Sequence, residues 1–320
     1  MLQGLANSGN TCSINTMIQC LGHCPAFLDL LLKQEITYKK KDDHHYSIFE
    51  ELKRILHQLW IDKNSLLPKR FLKAFYESIG DMYQPGEQFD FTEMWMLLLN
   101  NLIEETHTKE DIFKLELKNY GSDALNYIQN RTIQAWTQYV QKNNSHIMPL
   151  FHGMQVQQIK CVKCDKTYHN LEPMSFIYLE LNKDTFKECM DDFFDTEKLT
   201  DWTCDHCKNQ EAEKIVRFWS LPKVWMIVLK RFNHQQKIGK SMDIPLTFKM
   251  NSLQSEDLKT YELKSIANHY GSLYGGHYNA ICKNEDQTWY EYDDLQVRKI
   301  EDIRPFLHQN YSAYALFYEC

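Results

Sequence analysis

Hydrophobic positions recur at helical spacing through the first third of the chain. Ile14, Met17, Ile18 and Leu21 follow Cys12 on one helix face; Ile48, Leu52, Ile55 and Leu59 repeat the period, with Phe49 and Leu56 widening the stripe. Phe71–Ile79 predicts a shorter helix that stops at Gly80, and Asp90–Glu105 another with Asp90 at its N-cap. A weaker helical pattern covers Leu125–Val140, behind Ser122. From Phe151 onward the pattern changes. Met174–Leu181, Lys214–Trp219, Lys223–Phe232, Tyr261–His269, His277–Lys283, Thr288–Asp294 and Ala313–Glu319 are rich in β-branched and aromatic residues and are separated by Gly, Asn, Asp and Pro, which predicts strands. Helices first and strands later indicate an α+β fold, not alternating α/β. With no repeat, low-complexity tract or Gly/Ser linker, one composite domain over residues 1–320 is expected, mainly helical to about residue 145.

Composition narrows the class. The chain has 320 residues, 43% hydrophobic and 25% charged, close to a globular average, so a disordered chain, a fibre and a coiled coil are excluded. The longest clean apolar runs, Met94–Leu99 and Val224–Leu229, fall far short of the about 20 residues a membrane span needs. The opening MLQGLANSGN lacks the basic-then-apolar pattern of a secretory signal. Lys and Arg number 36 against 43 Asp and Glu, for a net charge of −7. The short Lys39–Lys41 run leads into Asp42 and Asp43 and is expected to be a solvated loop. Nucleic-acid or anionic-membrane binding is therefore disfavoured, and an acidic surface suits a basic protein partner. The ten cysteines, without a signal peptide, are expected to be reduced in a cytoplasmic or nuclear setting.

Two stretches carry chemistry. In GLANSGNTCSINTMIQCL (Gly4–Leu21), Gly, Asn and Ser crowd the approach to Cys12, where the helical pattern starts. A cysteine at a helix N-terminus has free N–H groups beside it that favour a thiolate and can hold an oxyanion. Asn7 can add a side-chain amide. A buried structural cysteine is the ordinary alternative, and Cys20 and Cys24 are read that way. In HYGSLYGGHYNAICKNEDQTWYEYDD (His269–Asp294), Gly275 and Gly276 precede His277; a strand, a polar turn and a second strand end in Asp293 and Asp294. Folded as a hairpin, this returns the acidic pair to His277, the arrangement of a nucleophile–base–orienter triad. With 13 histidines in the chain, His277 alone says little.

Cys161-Val-Lys-Cys164 and Cys204-Asp-His-Cys207 are two CxxC pairs, where roughly 0.3 are expected by chance. Two such knuckles complete a tetrahedral Zn²⁺ site with no open position, hence a structural one, with one ion. Their long separation requires intervening strands, for which Met174–Leu181 is the candidate. A redox CxxC lacks a surrounding βαβ pattern. His206 and His169 are alternative ligands, but four thiolates are the simpler set; Cys189, Cys282 and Cys320 look incidental. Asp90 and Glu93, at N-cap and N3, nearly make a capping box, which would explain both structurally.

These residues resemble the ubiquitin-specific protease family of cysteine deubiquitinases. Gly4, Leu5, Asn7, Gly9, Asn10, Thr11, Cys12 and Asn15 match its cysteine box; Gly276, His277, Tyr278, Trp289, Tyr292, Asp293 and Asp294 match its histidine box. Gln88, Asp90 and Glu93 resemble its glutamine–aspartate–glutamate box, and LPKVWMIVLKRF its LP…LKRF strand. The order of the landmarks is also the family's. Ser13 stands where an aromatic is usual, Phe89 and Phe91 around Asp90 are bulkier on one side than the usual pattern, and the early start implies no amino-terminal targeting domain.

The resemblance implies a papain-like fold with a helical thumb over about 1–145, and a sheet palm and fingers over about 146–320, the zinc-bearing fingers at about 155–220. It implies Cys12 as nucleophile, His277 as base, Asp293 (less so Asp294) as orienting acid and Asn7 at the oxyanion. Asp90 and Glu93 would contact arginines of ubiquitin's tail, and the four cysteines would hold the fingertips. The implied activity is hydrolysis after ubiquitin's C-terminal glycine by a monomer needing no cofactor beyond zinc. Rivals are a protease for a ubiquitin-like modifier, an inactive ubiquitin-binding scaffold, which would not need the Cys12, His277 and Asp293 set, and a zinc-ribbon nucleic-acid binder, which the net charge disfavours.

Overall fold

A computed structural model describes residues 2–39, 45–84, 86–110, 112, 119–233, 236–272 and 275–320. Most of the Lys39–Asp43 stretch expected as a loop lies outside the described residues. Helices come first: α1 (Cys12–Gly22), α2 (Pro25–Lys33), α3 (Ile48–Trp60), α4 (Lys69–Ile79), α5 (Phe91–Glu105), α6 (Asp123–Asn143) and the single turn α7 (Met148–Phe151). The strands are β1 (Gly153–Cys161), β2 (Thr167–Met174), β3 (Phe176–Glu180), β4 (Glu197–Leu199), β5 (Ala212–Ser220), β6 (Val224–Lys230), β7 (Thr247–Ser252), β8 (Ser255–Ser272), β9 (Gly275–Lys283), β10 (Trp289–Asp293), β11 (Gln296–Ile300) and β12 (Ala313–Glu319). Two further helices, α8 (Phe186–Phe193) and α9 (Arg304–Leu307), lie among them.

Local chemistry accounts for the helix ends. Ser47 caps α3 through Glu50 N–H, and the buried Glu105 carboxylate, at the end of α5, accepts from Ser47 Oγ (2.6 Å), Ile48 N–H (3.1 Å) and Phe49 N–H (2.8 Å). A negative charge on the positive end of α3 locks the two helices together. Helix α4 stops at Gly80, whose φ of 59° side-chain-bearing residues seldom adopt.

The strands form two sheets. A four-stranded antiparallel sheet runs β2-β1-β5-β4; an eight-stranded sheet runs β11-β10-β9-β8-β12-β6-β3, with β7 also paired to β8. Strands β6 and β12 are buried almost throughout, as their unbroken apolar runs require. One core lies between this sheet and the helices, through Trp95, Phe151, Met226 and Phe317; the other covers the opposite face, through Trp225, Tyr261, Phe186 and Tyr318. Helix α1 is buried along its whole length and packs against β9 and β8. The cysteine box is thereby carried to the strand that bears His277.

The expected strand Met174–Leu181 is corrected. The chain bends at Ser175, whose hydroxyl accepts from the Trp95 indole at 3.3 Å, and changes sheets there. Strand β2 ends in the small sheet at Met174, and β3 joins the large one parallel to β6.

Candidate active site and cysteine cluster

Cys12 is the first residue of α1 and is buried. Its sulfur meets the backbone of Tyr278, next to His277 on β9. Burial nevertheless pushes the thiol pKa above its ordinary value of 9.0 and Asp294 adds to the rise, while backbone hydrogen bonds from Tyr278, Ser13 and Cys12 itself oppose it. The helix N-terminus does not set the balance here, as the sequence led us to expect; desolvation does.

The hairpin of β9 and β10 closes as expected, with Tyr292 opposite Ala280. It brings Asp293 Oδ1 to 2.5 Å from His277 Nε2, leaving Nδ1 as the nitrogen without the carboxylate. Asp294 follows in the left-handed region (φ 51°) at the turn into β11, and one carboxylate oxygen from each aspartate lies within 4.8 Å of a His277 ring nitrogen. Asp294 fastens the cysteine box to this turn. Its Oδ2 accepts from Asn7 Nδ2 (2.9 Å), its Oδ1 from Asn15 Nδ2 (2.8 Å) and its carbonyl from Leu5 N–H (2.9 Å). A Cβ at Gly4 would lie 2.3 Å from that carbonyl oxygen, so this close approach requires glycine. Asn7 Oδ1 in turn accepts from Gly9 N–H (2.9 Å) and Thr11 N–H (3.1 Å), which shapes the loop before Cys12.

A cleft of about 280 Å³ is lined by Gln88, Phe89, Asp90, Phe232, His269, Gly275, Tyr278 and Tyr314, among others. Asp90 caps α5, its Oδ1 accepting from Thr92 N–H (3.0 Å) and Glu93 N–H (2.9 Å), while its Oδ2 accepts from Tyr314 Oη at 3.3 Å. The reciprocal half of the capping box is absent: the Glu93 carboxylate instead accepts from the Tyr83 hydroxyl, and Glu93 is not among the cleft residues. Phe89 and Phe91 turn inward; Phe89 packs on Tyr83 (4.3 Å between ring centres) and Phe91 stacks on Tyr278 (5.5 Å). His269, on the cleft wall, is held neutral: burial, then Lys237 and His277, lower its pKa to about 4.

At the end of the four-stranded sheet, Cys161, Cys164, Cys204 and Cys207 place their sulfurs within 4.8 Å of one another. Cys161–Cys207 is 3.6 Å and Cys164–Cys204 3.8 Å. Sulfurs about 2.3 Å from a central ion at tetrahedral corners lie about 3.8 Å apart, so the set fits Zn²⁺. The two turns are alike. Cys161 N–H donates to Lys166 and Cys204 N–H to Asn209; Asp165 N–H returns to Cys161 and Lys208 N–H to Cys204, with Asp165 and Lys208 both at positive φ. Of the alternative ligands, neither His206 nor His169 belongs to the group, and the His169 ring packs on Tyr127. Four close cysteines are thus able to hold a metal ion. The ten cysteines form no disulfide.

Comparison with known proteins follows from this geometry. The sequence pattern of the ubiquitin carboxyl-terminal hydrolases matches residues 3–318. The chain belongs to this family. It is 27% identical to ubiquitin carboxyl-terminal hydrolase Usp2 of Drosophila melanogaster, over 99% of this chain and 35% of that protein. It is 25% identical to human ubiquitin carboxyl-terminal hydrolase 2, over 99% of this chain and 55% of that one. The chain thus spans about a third to a half of these hydrolases. Among solved structures, the SAGA DUB module Ubp8/Sgf11/Sus1/Sgf73 bound to monoubiquitin superposes with a TM-score of 0.75 at 25% identity, over 99% of this chain and 69% of that one. A yeast SAGA DUB module gives 0.77 at 25% identity, over 99% and 68%. The mixed α/β architecture is that of this hydrolase domain. Among the described residues, no helix is long and apolar enough to cross a membrane.

Two features of the site were missed in the sequence. The fastening of Gly4, Leu5, Asn7 and Asn15 to Asp294 left a trace, since all five positions stand in the two boxes. The pairing of Gln88 with Gly276 likewise joins residues of two boxes, but neither box shows that they meet.

Proposed function

We propose that the chain is a thiol-dependent hydrolase of the isopeptide or peptide bond after the C-terminal glycine of ubiquitin. The observation that carries this is the His277–Asp293 pair on the strand whose next residue, Tyr278, meets the Cys12 sulfur. Cys12 gives its proton to His277 as the sulfur attacks the glycine carbonyl carbon. Asn7 and the Cys12 N–H hold the oxyanion, each such donor lowering the barrier by about 3 kcal/mol. The imidazolium, oriented by Asp293, protonates the leaving lysine amine as the C–N bond breaks. His277 then takes a proton from water, which attacks the thioester, and the sulfur leaves with that proton.

The cleft beside Asp90 takes the extended tail. The outer face of the Asp90 carboxylate is offered to an arginine; Glu93, tied to Tyr83, supports α5 instead. The four cysteines hold one structural Zn²⁺ at the tip of the fingers, β1, β2, β4 and β5. The helices to α7 serve as thumb and the large sheet as palm of one domain. Ubiquitin as partner is supported by the monoubiquitin-bound relative. The reading includes a monomer in a reducing, cytoplasmic or nuclear setting, in keeping with ten unpaired cysteines. Ubiquitin carrying a fluorogenic amine on its C-terminal glycine tests the reading. Wild type releases the fluorophore, and Cys12→Ala and His277→Ala do not. Release only from a related modifier would move the substrate, and no release from any would leave a binding scaffold.

A further inference from the structure

Strand β10 lies beside β9 only from Ala280 to Lys283. The stretch of β9 that carries His277 therefore has β8 on one side and, among the described residues, no strand on the other. In that place stands the side chain of Gln88. Its Nε2 donates to the Gly276 carbonyl at 2.7 Å, and its Oε1 accepts from Gly276 N–H at 3.1 Å. A primary amide presents one donor and one acceptor with the spacing of a peptide group. It repeats at Gly276 the double exchange of a hydrogen-bonded pair in an antiparallel ladder.

The other end of this strut is fixed. Phe89 is wedged among Phe75, Tyr76 and Tyr83, and Asp90 caps α5. Helix α5 packs on α1, whose first residue is Cys12. Gln88 thus joins the helical layer that holds the sulfur to the residue just before the imidazole, by a route separate from the sheet. Its own side is exposed, so burial gives no reason for so complete a pairing.

We propose that Gln88 is a positioning residue, standing in for a neighbouring strand at Gly276 and so fixing where the His277 imidazole lies relative to the Cys12 thiol. This rests on the reading of Cys12 and His277 as nucleophile and base. Gln88→Met keeps the length and removes both hydrogen bonds. Gln88→Glu keeps the acceptor but sets a carboxylate oxygen against the Gly276 carbonyl. With the fluorogenic ubiquitin substrate, kcat is expected to fall about tenfold in both variants while KM stays within about twofold. Combined with Asp293→Asn, which acts on the same imidazole, Gln88→Met should cost less than about twofold more, because the two losses share one target.

Three results would overturn the proposal: KM rising with kcat unchanged, which makes Gln88 a substrate contact; the full tenfold loss recurring on top of Asp293→Asn; or wild-type rates in both variants. Wild type turning over while Gln88→Met matches it sinks the role of Gln88 alone. A wild type without turnover sinks the hydrolase reading and this proposal with it.

Discussion

At Cys12 two sets of forces compete for one proton. Backbone hydrogen bonds favour the thiolate; burial and the Asp294 charge favour the thiol, and burial is the larger effect. The sign of the pH dependence follows. A thiol whose pKa is raised keeps its proton to higher pH, so Cys12 alkylation by iodoacetamide in the free protein should climb with pH through a midpoint above the ordinary value of 9.0. A midpoint near neutrality would contradict this. The two aspartates should separate in a second experiment. Asp293 touches the imidazole, so Asp293→Asn should lower kcat about 100-fold or more with little change in thermal stability. Asp294 receives Asn7, Asn15 and the Leu5 backbone, so Asp294→Ala should lower activity and also destabilise the fold by about 1–2 kcal/mol. Equal melting temperatures for the two variants would refute the division. The His277–Asp293 pair was legible in the sequence because a hairpin is a local event: the turn residues and the alternating strands lie within one stretch. The Asn7–Asp294 contact joins residues near opposite ends of the chain, and only the packing of α1 on β9 decides it.

Among elements, those with a clear apolar stripe or a strand-rich run were legible, the short α4, β10 and β12 included, and those marked only at their ends were not. Helices α1, α3 and α5 carry several turns of apolar stripe, and Asp90 does cap α5. Helices α2 and α8 went unread: the first is marked mainly by Pro25 at its start, the second by the Thr185/Glu188 capping box. Met174–Leu181 misled because strand propensity cannot show a chain leaving one sheet for another at Ser175. The two CxxC turns were legible as a pair, and they close the sheet of β1, β2, β4 and β5, which has little apolar core of its own. Metal analysis should find about one zinc per chain. Cys204→Ser should lose it and lower the melting temperature, since binding energy at a structural site is folding energy. Cys12 alkylation should persist in that variant, because the sulfur lies against the other sheet. A metal-free protein with unchanged melting would exclude the site.

Over the whole molecule, the fold exists to bring a helix start and a hairpin together. The sheet layer supplies β9 and β10, and the helical layer delivers α1 across it with every residue buried. Fold class was legible from the order of periodicities; the division into two sheets was not, since it depends on pairings between distant strands. The net charge of −7 gave no reason to expect nucleic acid as the main partner, and it named no other. The central claim is that Cys12 is a nucleophile aimed at the end of a bound ubiquitin tail. Incubation with ubiquitin bearing an electrophile in place of its terminal carboxylate, followed by peptide mass mapping, measures this most directly. The account predicts a single adduct on the Cys12 sulfur, absent in Cys12→Ala and slowed in His277→Ala. Failure of the folded wild type to form that adduct, or an adduct on any other cysteine, would contradict it.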